Sequence, residues 1–272
     1  MKITSDIHTH TFLSACAARE SYPQDFMRVC KSFGIKTLGF SDHLWDKAVP
    51  GSSKWYAPQD VEHVLQLKEL LKGPECQAQC GGLKILFGCE TEFLGGKHVA
   101  LSREAMSVFD YVLIPPDHFH MKGFTRPADL DDPQGIKELM IRRFMEVMDL
   151  GMATSVVHPF HAMGWTPEMP RLIQSMITDN EYIECFTAAK QANCAIEINS
   201  CAVKPIDGND GVGDDKFSPE YVRMMTLARE TGCTFSIGTD AHNPKSIENA
   251  GGYGRFDRFT DVCGITKILF ND

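Results

Sequence analysis

Asp6-Ile7-His8-Thr9-His10 lies near the start of the chain, directly after a short apolar run containing Ile3. In an extended strand, side chains two positions apart point to the same face, so His8 and His10 converge on one point. Convergent imidazoles suit a divalent metal, although an isolated pair also reads as two surface histidines. The choice turns on whether ligand-type residues recur at other strand ends.

They do recur. Residues 36–40 pattern as a strand that ends in Ser41-Asp42-His43, and residues 84–89 form another that ends in Glu90-Thr91-Glu92, with the two carboxylates on one face. A strand at 110–114 breaks at Pro115-Pro116 and leads into Asp117-His118-Phe119-His120. A strand at 153–157 runs into His158-Pro159-Phe160-His161, one at 194–199 carries Glu197 and Asn199, and one at 233–238 runs into Thr239-Asp240-Ala241-His242.

Helical patterns separate these strands. Tyr22-Pro23 suits a helix start, and Phe26, Val29, Cys30 and Phe33 follow at helical spacing before Gly34. Further helices are expected at 58–71, 134–150, 167–190 in one or two segments, and 219–230, the last capped by Ser218 and stopped by Gly232. His63 reads as a solvated helix residue and His98 as a turn residue without a partner. The loop at 44–56 carries Trp45 and Trp55, which either wall a substrate pocket or pack the loop down. The acids Asp207, Asp210, Asp214 and Asp215 lack calcium-loop spacing and read as solvated.

Seven strands separated mostly by helices predict a parallel β/α architecture, in which chemistry collects at the C-terminal strand ends. Here a His, Asp or Glu stands at each such end. A ring of ligand types at successive strand ends has no account in stability, so the metal reading replaces that of scattered surface histidines.

Taken together and in order, Asp6 to His10, Ser41 to His43, Gly88 to Glu90, His118, His158-Pro159, Glu197 to Asn199 and Gly238 to His242 resemble the polymerase and histidinol phosphatase (PHP) superfamily of metal-dependent phosphoesterases, over nearly the full chain. The resemblance implies a distorted seven-stranded (β/α)7 barrel, TIM-like, with two or three divalent ions of zinc, iron or manganese. Carried over by position, His8, His10, Glu90 and Asp240 would hold one ion, and Glu90, His118 and His158 a second. A third would use His43 and His242 with a histidine at the position that Cys16 occupies here. A thiolate ligates zinc or iron, so Cys16 either completes that site or leaves it weak.

The resemblance further implies hydrolysis of a small phosphomonoester such as histidinol phosphate, with Asp240, His242 and His120 as candidates at the reacting centre. His120 competes with His118 as the ligand. His120 or His161 is otherwise expected to support the ions or to donate a proton to the leaving group. Asp6, Asp42, Glu92, Glu197 and Asn199 are expected behind the ligands, orienting imidazoles or binding water. Lys204, where similar histidinol phosphatases carry a basic residue, is a candidate phosphate clamp, and Arg19 and Arg126 are weaker ones. Nuclease or nucleotide phosphodiesterase activity, and a non-catalytic metal-stabilised regulatory barrel, are the competing readings.

The chain of 272 residues is long enough for one such barrel, and residues 1–272 are read as a single domain. Its net charge of -9 and pI near 5.6 disfavour long nucleic acid as a partner, whereas a small phosphorylated substrate can still be drawn by local divalent charge. No apolar run approaches membrane-spanning length and no signal-peptide core opens the chain, so a cytoplasmic protein is expected. Ten cysteines without paired Cys-x-x-Cys spacing read as reduced thiols, Cys76 and Cys80 included.

Overall fold

Parallel strands in chain order make the barrel: β1 (Ser5–Asp6), β2 (Thr37–Phe40), β3 (Lys84–Thr91), β4 (Tyr111–Ile114), β5 (Ser155–Val156), β6 (Ala195–Asn199) and β7 (Phe235–Gly238). This is the architecture expected from the sequence. The computed structural model describes residues 1–203 and 217–272, and among these the seven strands form a nearly closed α/β barrel with helices around it. A short strand, His43–Leu44, continues alongside β3 and pairs His43 with Glu90.

The seam closes beyond the ends of β1 and β7. Ile7 donates its N–H to Ile237 O at 3.0 Å, Asp240 to His8 O at 2.8 Å, and His10 to Ala241 O at 3.0 Å. The first and last polar stretches are thereby neighbours, although well over two hundred residues separate them in the chain.

Alternation sorts the strand side chains into two layers. Val112 and Ile114 of β4 join the large core beneath the helices, whereas Tyr111 and Leu113 join Ile7, Leu86 and Val157 in a small separate cluster. The ring of Tyr111 lies where a Cβ on Gly88 would stand, so glycine is required there for a steric reason. β2, β4, β6 and β7 are buried along their whole length, as parallel strands under helices are.

The helices are Pro23–Ser32, Val61–Lys72, Pro133–Leu150, Met169–Met176, Asp179–Gln191 and Pro219–Thr231, with shorter ones between. Four details differ from expectation. His98, expected in a turn without a partner, lies in the short strand His98–Val99 and donates from Nε2 to Pro50 O at 3.1 Å. The second helix begins at Val61 because Asp60, not the region of Pro58, caps it by accepting from His63 N. The ring of His63 is not simply solvated, since its Nε2 donates to Leu13 O at 2.8 Å. Ser218 occupies the cap position but donates to Glu220 Oε2 at 2.6 Å instead of accepting a backbone N–H. Gly232, at φ +89°, ends that helix as expected.

After β7 the chain adds helices Pro244–Asn249 and Gly254–Cys263, which the strand pattern did not announce. Among the described residues no helix is long and apolar enough to cross a membrane. All ten cysteines are free thiols.

Candidate metal centre

Strand ends bring the ligand-type side chains together. Among the described residues, three groups place one ligand atom from each member within 4.8 Å of the others: His8, His10 and Glu90; Glu90, His118 and His158; and His10, His43 and His242. Glu90 faces two sides at once. Its Oε2 lies 3.4 Å from the Nε2 atoms of both His8 and His10 and 3.1 Å from His43 Nδ1, while its Oε1 lies 3.3 Å from His158 Nε2.

Asp240 adds a second carboxylate to the first group, with Oδ1 3.4 Å from His8 Nε2 and 3.2 Å from His10 Nε2. The Nε2 atoms of His8 and His10 are 3.1 Å apart. Adjacent ligands on one ion at ~2.0–2.2 Å stand roughly 2.9–3.5 Å from each other, so these separations fit a divalent ion with nitrogen and oxygen ligands.

Carboxylates behind the rings set their orientation. Glu197 Oε1 accepts from His8 Nδ1 at 2.6 Å, and its Oε2 accepts from His158 N and Asn199 Nδ2. A Cβ on Gly238 would overlap Glu197 Oε1, which explains the glycine before Thr239-Asp240. Glu92 Oε2 accepts from His118 Nδ1 at 2.9 Å and from Tyr56 OH at 2.5 Å. In each case the bonded Nδ1 leaves Nε2 to face inward, the arrangement that ligating histidines use.

Asp42 and Asp6 act less directly than expected. Asp42 accepts from Thr11 N, Thr11 Oγ1 and Ser14 Oγ, and Ser14 Oγ in turn faces His10 Nδ1 at 3.2 Å. Asp6 holds backbone: it accepts from His8 N and Thr239 N as well as from Thr239 Oγ1 and Tyr253 OH. Burial pushes its carboxyl up to about 6, against those hydrogen bonds.

Asp117 is a neighbour of the centre that the strand-end pattern does not single out. Its carboxylate is 1 % exposed and its Oδ1 lies 3.6 Å from His158 Nδ1; neither atom has a hydrogen bond. Its place directly after two prolines also reads as that of a turn residue, so the order of residues does not set it apart. His158 and Asp240 both adopt left-handed backbone, at φ +35° and +52°, conformations disfavoured for non-glycine residues and concentrated at functional sites.

Charge in the centre follows from burial opposed by these acids. Burial disfavours a charged His8, yet Glu197, Asp240 and Glu90 together hold the ring well above the ordinary imidazole range. His158 is pushed up to about 10, burial being outweighed by Asp117 and Glu90. Burial opposes ionisation of Glu90, but His43 and His8 hold it well below the carboxylate range. His43 itself is driven well below the ordinary value, first by burial.

His120 is exposed, with its ring centroid 4.0 Å from that of His118; burial of part of the ring and the neighbouring His118 lower it to about 4. It is therefore neutral near pH 7, and a weaker base than an ordinary imidazole. His161 donates its N–H to Asp117 Oδ2. Cys16 belongs to none of the three groups, and burial together with Glu90 pushes its thiol up to about 12. Where the resemblance implied Cys16 beside His43 and His242, the structure brings His10.

Arg126 stacks on the Trp165 ring at 4.4 Å and donates to Gly164 O, tying two loops together. Arg19 is exposed. Lys204 and the acids Asp207, Asp210, Asp214 and Asp215 lie outside the described residues. Trp45 and Tyr56 pack into the loop they belong to, while Trp55 sets its ring edge-on to His43 with centroids 5.5 Å apart, so the loop both packs down and walls the centre.

No protein-family model matches the chain. No curated protein matches it by sequence either. Among solved structures the chain is similar to the histidinol phosphate phosphatase of Lactococcus lactis, complexed with zinc, L-histidinol and phosphate: 16% identity, TM-score 0.59, covering 97% of this chain and 95% of that one. It also aligns with the ochratoxinase of A. niger at 9% identity and a TM-score of 0.47, covering 98% of this chain and 68% of the other. The first of these likenesses is one of fold, an α/β barrel matched from end to end.

Proposed function

We propose that this protein is a metal-dependent phosphomonoesterase of the PHP type, acting on a small phosphorylated substrate. The observation that carries the proposal is Glu90, whose two oxygens face separate histidine groups and so suit a carboxylate shared by two ions. Zinc, iron or manganese held there would supply positive charge beside phosphorus and lower the pKa of a water near it.

In this reading His8, His10, Glu90 and Asp240 hold one ion and Glu90, His118 and His158 a second, while His43 and His242 stand ready for a third; His10, whose Nδ1 faces Ser14 Oγ, has only Nε2 to give and serves one ion. Glu197 and Glu92 keep His8 and His118 turned inward. The oxygen of water bonds to phosphorus as the ester P–O bond breaks, and the proton that the water loses passes by way of His120, at the mouth of the centre, to the departing alkoxide. The similar L. lactis structure, which holds zinc and phosphate, supports the choice of phosphoester over other hydrolysable bonds.

The test is a measurement of metal content followed by phosphate release from histidinol phosphate, sugar phosphates, nucleotides and an aryl phosphate, with a single-stranded oligonucleotide alongside. Metal-dependent release from at least one monoester is expected. A fully metal-loaded protein that turns over none of them would overturn the proposal.

A further inference from the structure

One cavity opens directly onto the centre. It has a volume of about 600 Å³, and Asp240 and His242 form part of its wall. That size accommodates a small organic group. Its lining comes from the segment after His10, the ends of β6 and β7, and the two C-terminal helices that follow β7.

The chemistry of the wall is lopsided. Ile247 and Phe256 supply a buried apolar floor. The hydroxyls of Ser200 and Ser246 are engaged within the protein, donating to Thr239 O and Asn243 O at 2.6 Å each. Apart from Asp240 and His242, the charged side chain among the described residues that line it is Arg255, in the first turn of helix Gly254–Cys263. A guanidinium has five N–H donors in a planar fork, so it can keep contacts within the protein and still present two donors to a carboxylate or phosphate.

We infer that this cavity receives the leaving group of the substrate and that Arg255 reads an acidic group on it, so that the substrate is a phosphomonoester carrying a second anion. The inference rests on the phosphomonoesterase reading and narrows it. With the phosphate at the histidine groups, the carbon skeleton extends past Asp240 and His242 onto the apolar floor, and its acid meets the guanidinium. A leaving group bearing a free ammonium, as in histidinol phosphate, would instead bring a cation against Arg255, and like charges at contact distance discriminate strongly.

Three compact monoesters differing in the charge of the leaving group test this: phosphoglycolate, glycerol phosphate and phosphoethanolamine. For the metal-loaded enzyme, kcat/KM is expected to favour phosphoglycolate over phosphoethanolamine by about tenfold or more, with glycerol phosphate between them. Arg255→Gln should bring that ratio close to one by raising KM for phosphoglycolate, while Arg255→Lys retains its direction. Metal content measured on both variants shows that the centre has survived the substitution. A wild-type ratio near one, or a ratio that persists in Arg255→Gln, overturns the inference and leaves the phosphomonoesterase reading standing. If no monoester is turned over, that reading fails, and calorimetric titration of the metal-loaded protein with phosphoglycolate and phosphoethanolamine still interrogates the cavity. Equal binding of the two, or none, overturns the inference.

Discussion

Asp117 Oδ1 and His158 Nδ1 face each other inside the barrel at 3.6 Å, both buried and both without a hydrogen bond. The gap is only a few tenths of an ångström beyond hydrogen-bonding range, and unpaired buried polar atoms are costly. A ligand drawing on His158 Nε2 would favour closing it, because a carboxylate on Nδ1 fixes the ring and raises its basicity. Asp117→Ala is therefore expected to weaken binding of one ion by roughly 10–100-fold, with Asp117→Asn intermediate. Competition titration against a metal chelator measures this, with circular dichroism confirming the fold. Unchanged affinity in both variants would reduce the pair to a packing contact.

Metal loading should release protons. Without metal, His8 is held well above the ordinary imidazole range and His158 is pushed up to about 10, so both rings carry a proton at neutral pH. Ligation requires a neutral ring nitrogen, and the proton competes with the ion. The sign follows: affinity rises with pH across the neutral range and falls as pH drops. Calorimetry in buffers of different ionisation enthalpy reads the protons released directly, and a pH-independent affinity would show that the rings are already neutral.

Cys16→Ala is expected to leave the metal-to-protein ratio unchanged. The Cys16 sulfur belongs to none of the three groups, and a thiol pushed up to about 12 is a poor source of thiolate at neutral pH. Elemental analysis decides the matter: loss of one equivalent would make the thiol a ligand after all.

Tyr56→Phe removes the 2.5 Å hydrogen bond to Glu92 and leaves that buried carboxylate with fewer partners. A cost of about 1.5–3 kcal/mol in urea unfolding is expected, the range for hydrogen bonds to charged groups. Because Glu92 also holds His118 Nδ1, the same variant should bind metal more weakly. A variant as stable as the parent would mean that water replaces the phenol.

Much of the centre was legible from residue order. His8, His10, Glu90, His118, His158, Asp240 and His242 each fall at a strand end, and a parallel barrel collects such ends on one rim. Less legible were residues whose duty depends on partners distant in the chain. Asp6 reads as a companion of the His8 ring, yet it bonds only the backbone of His8 and reaches on to Thr239 and Tyr253, beyond β7. Cys16 stands at the third-site position by order, whereas the ring that packs against both His43 and His242 is that of His10.

The sequence alone determined the strand count, the parallel order and the set of ligand types, because periodicity and strand-end chemistry are local properties of the chain. Tertiary structure decided which oxygen of Glu90 meets which imidazole, that Asp117 stands behind His158, and that Arg255 borders the cavity beside Asp240. Those outcomes depend on barrel closure and on two C-terminal helices folding back over the rim. Ångström-scale separations set by packing between distant segments leave no periodic trace in the order of the residues. The opening Asp6-Ile7-His8-Thr9-His10 announced a metal centre; only closure against Thr239-Asp240-Ala241-His242 gave His8 and His10 the carboxylate of Asp240 beside them.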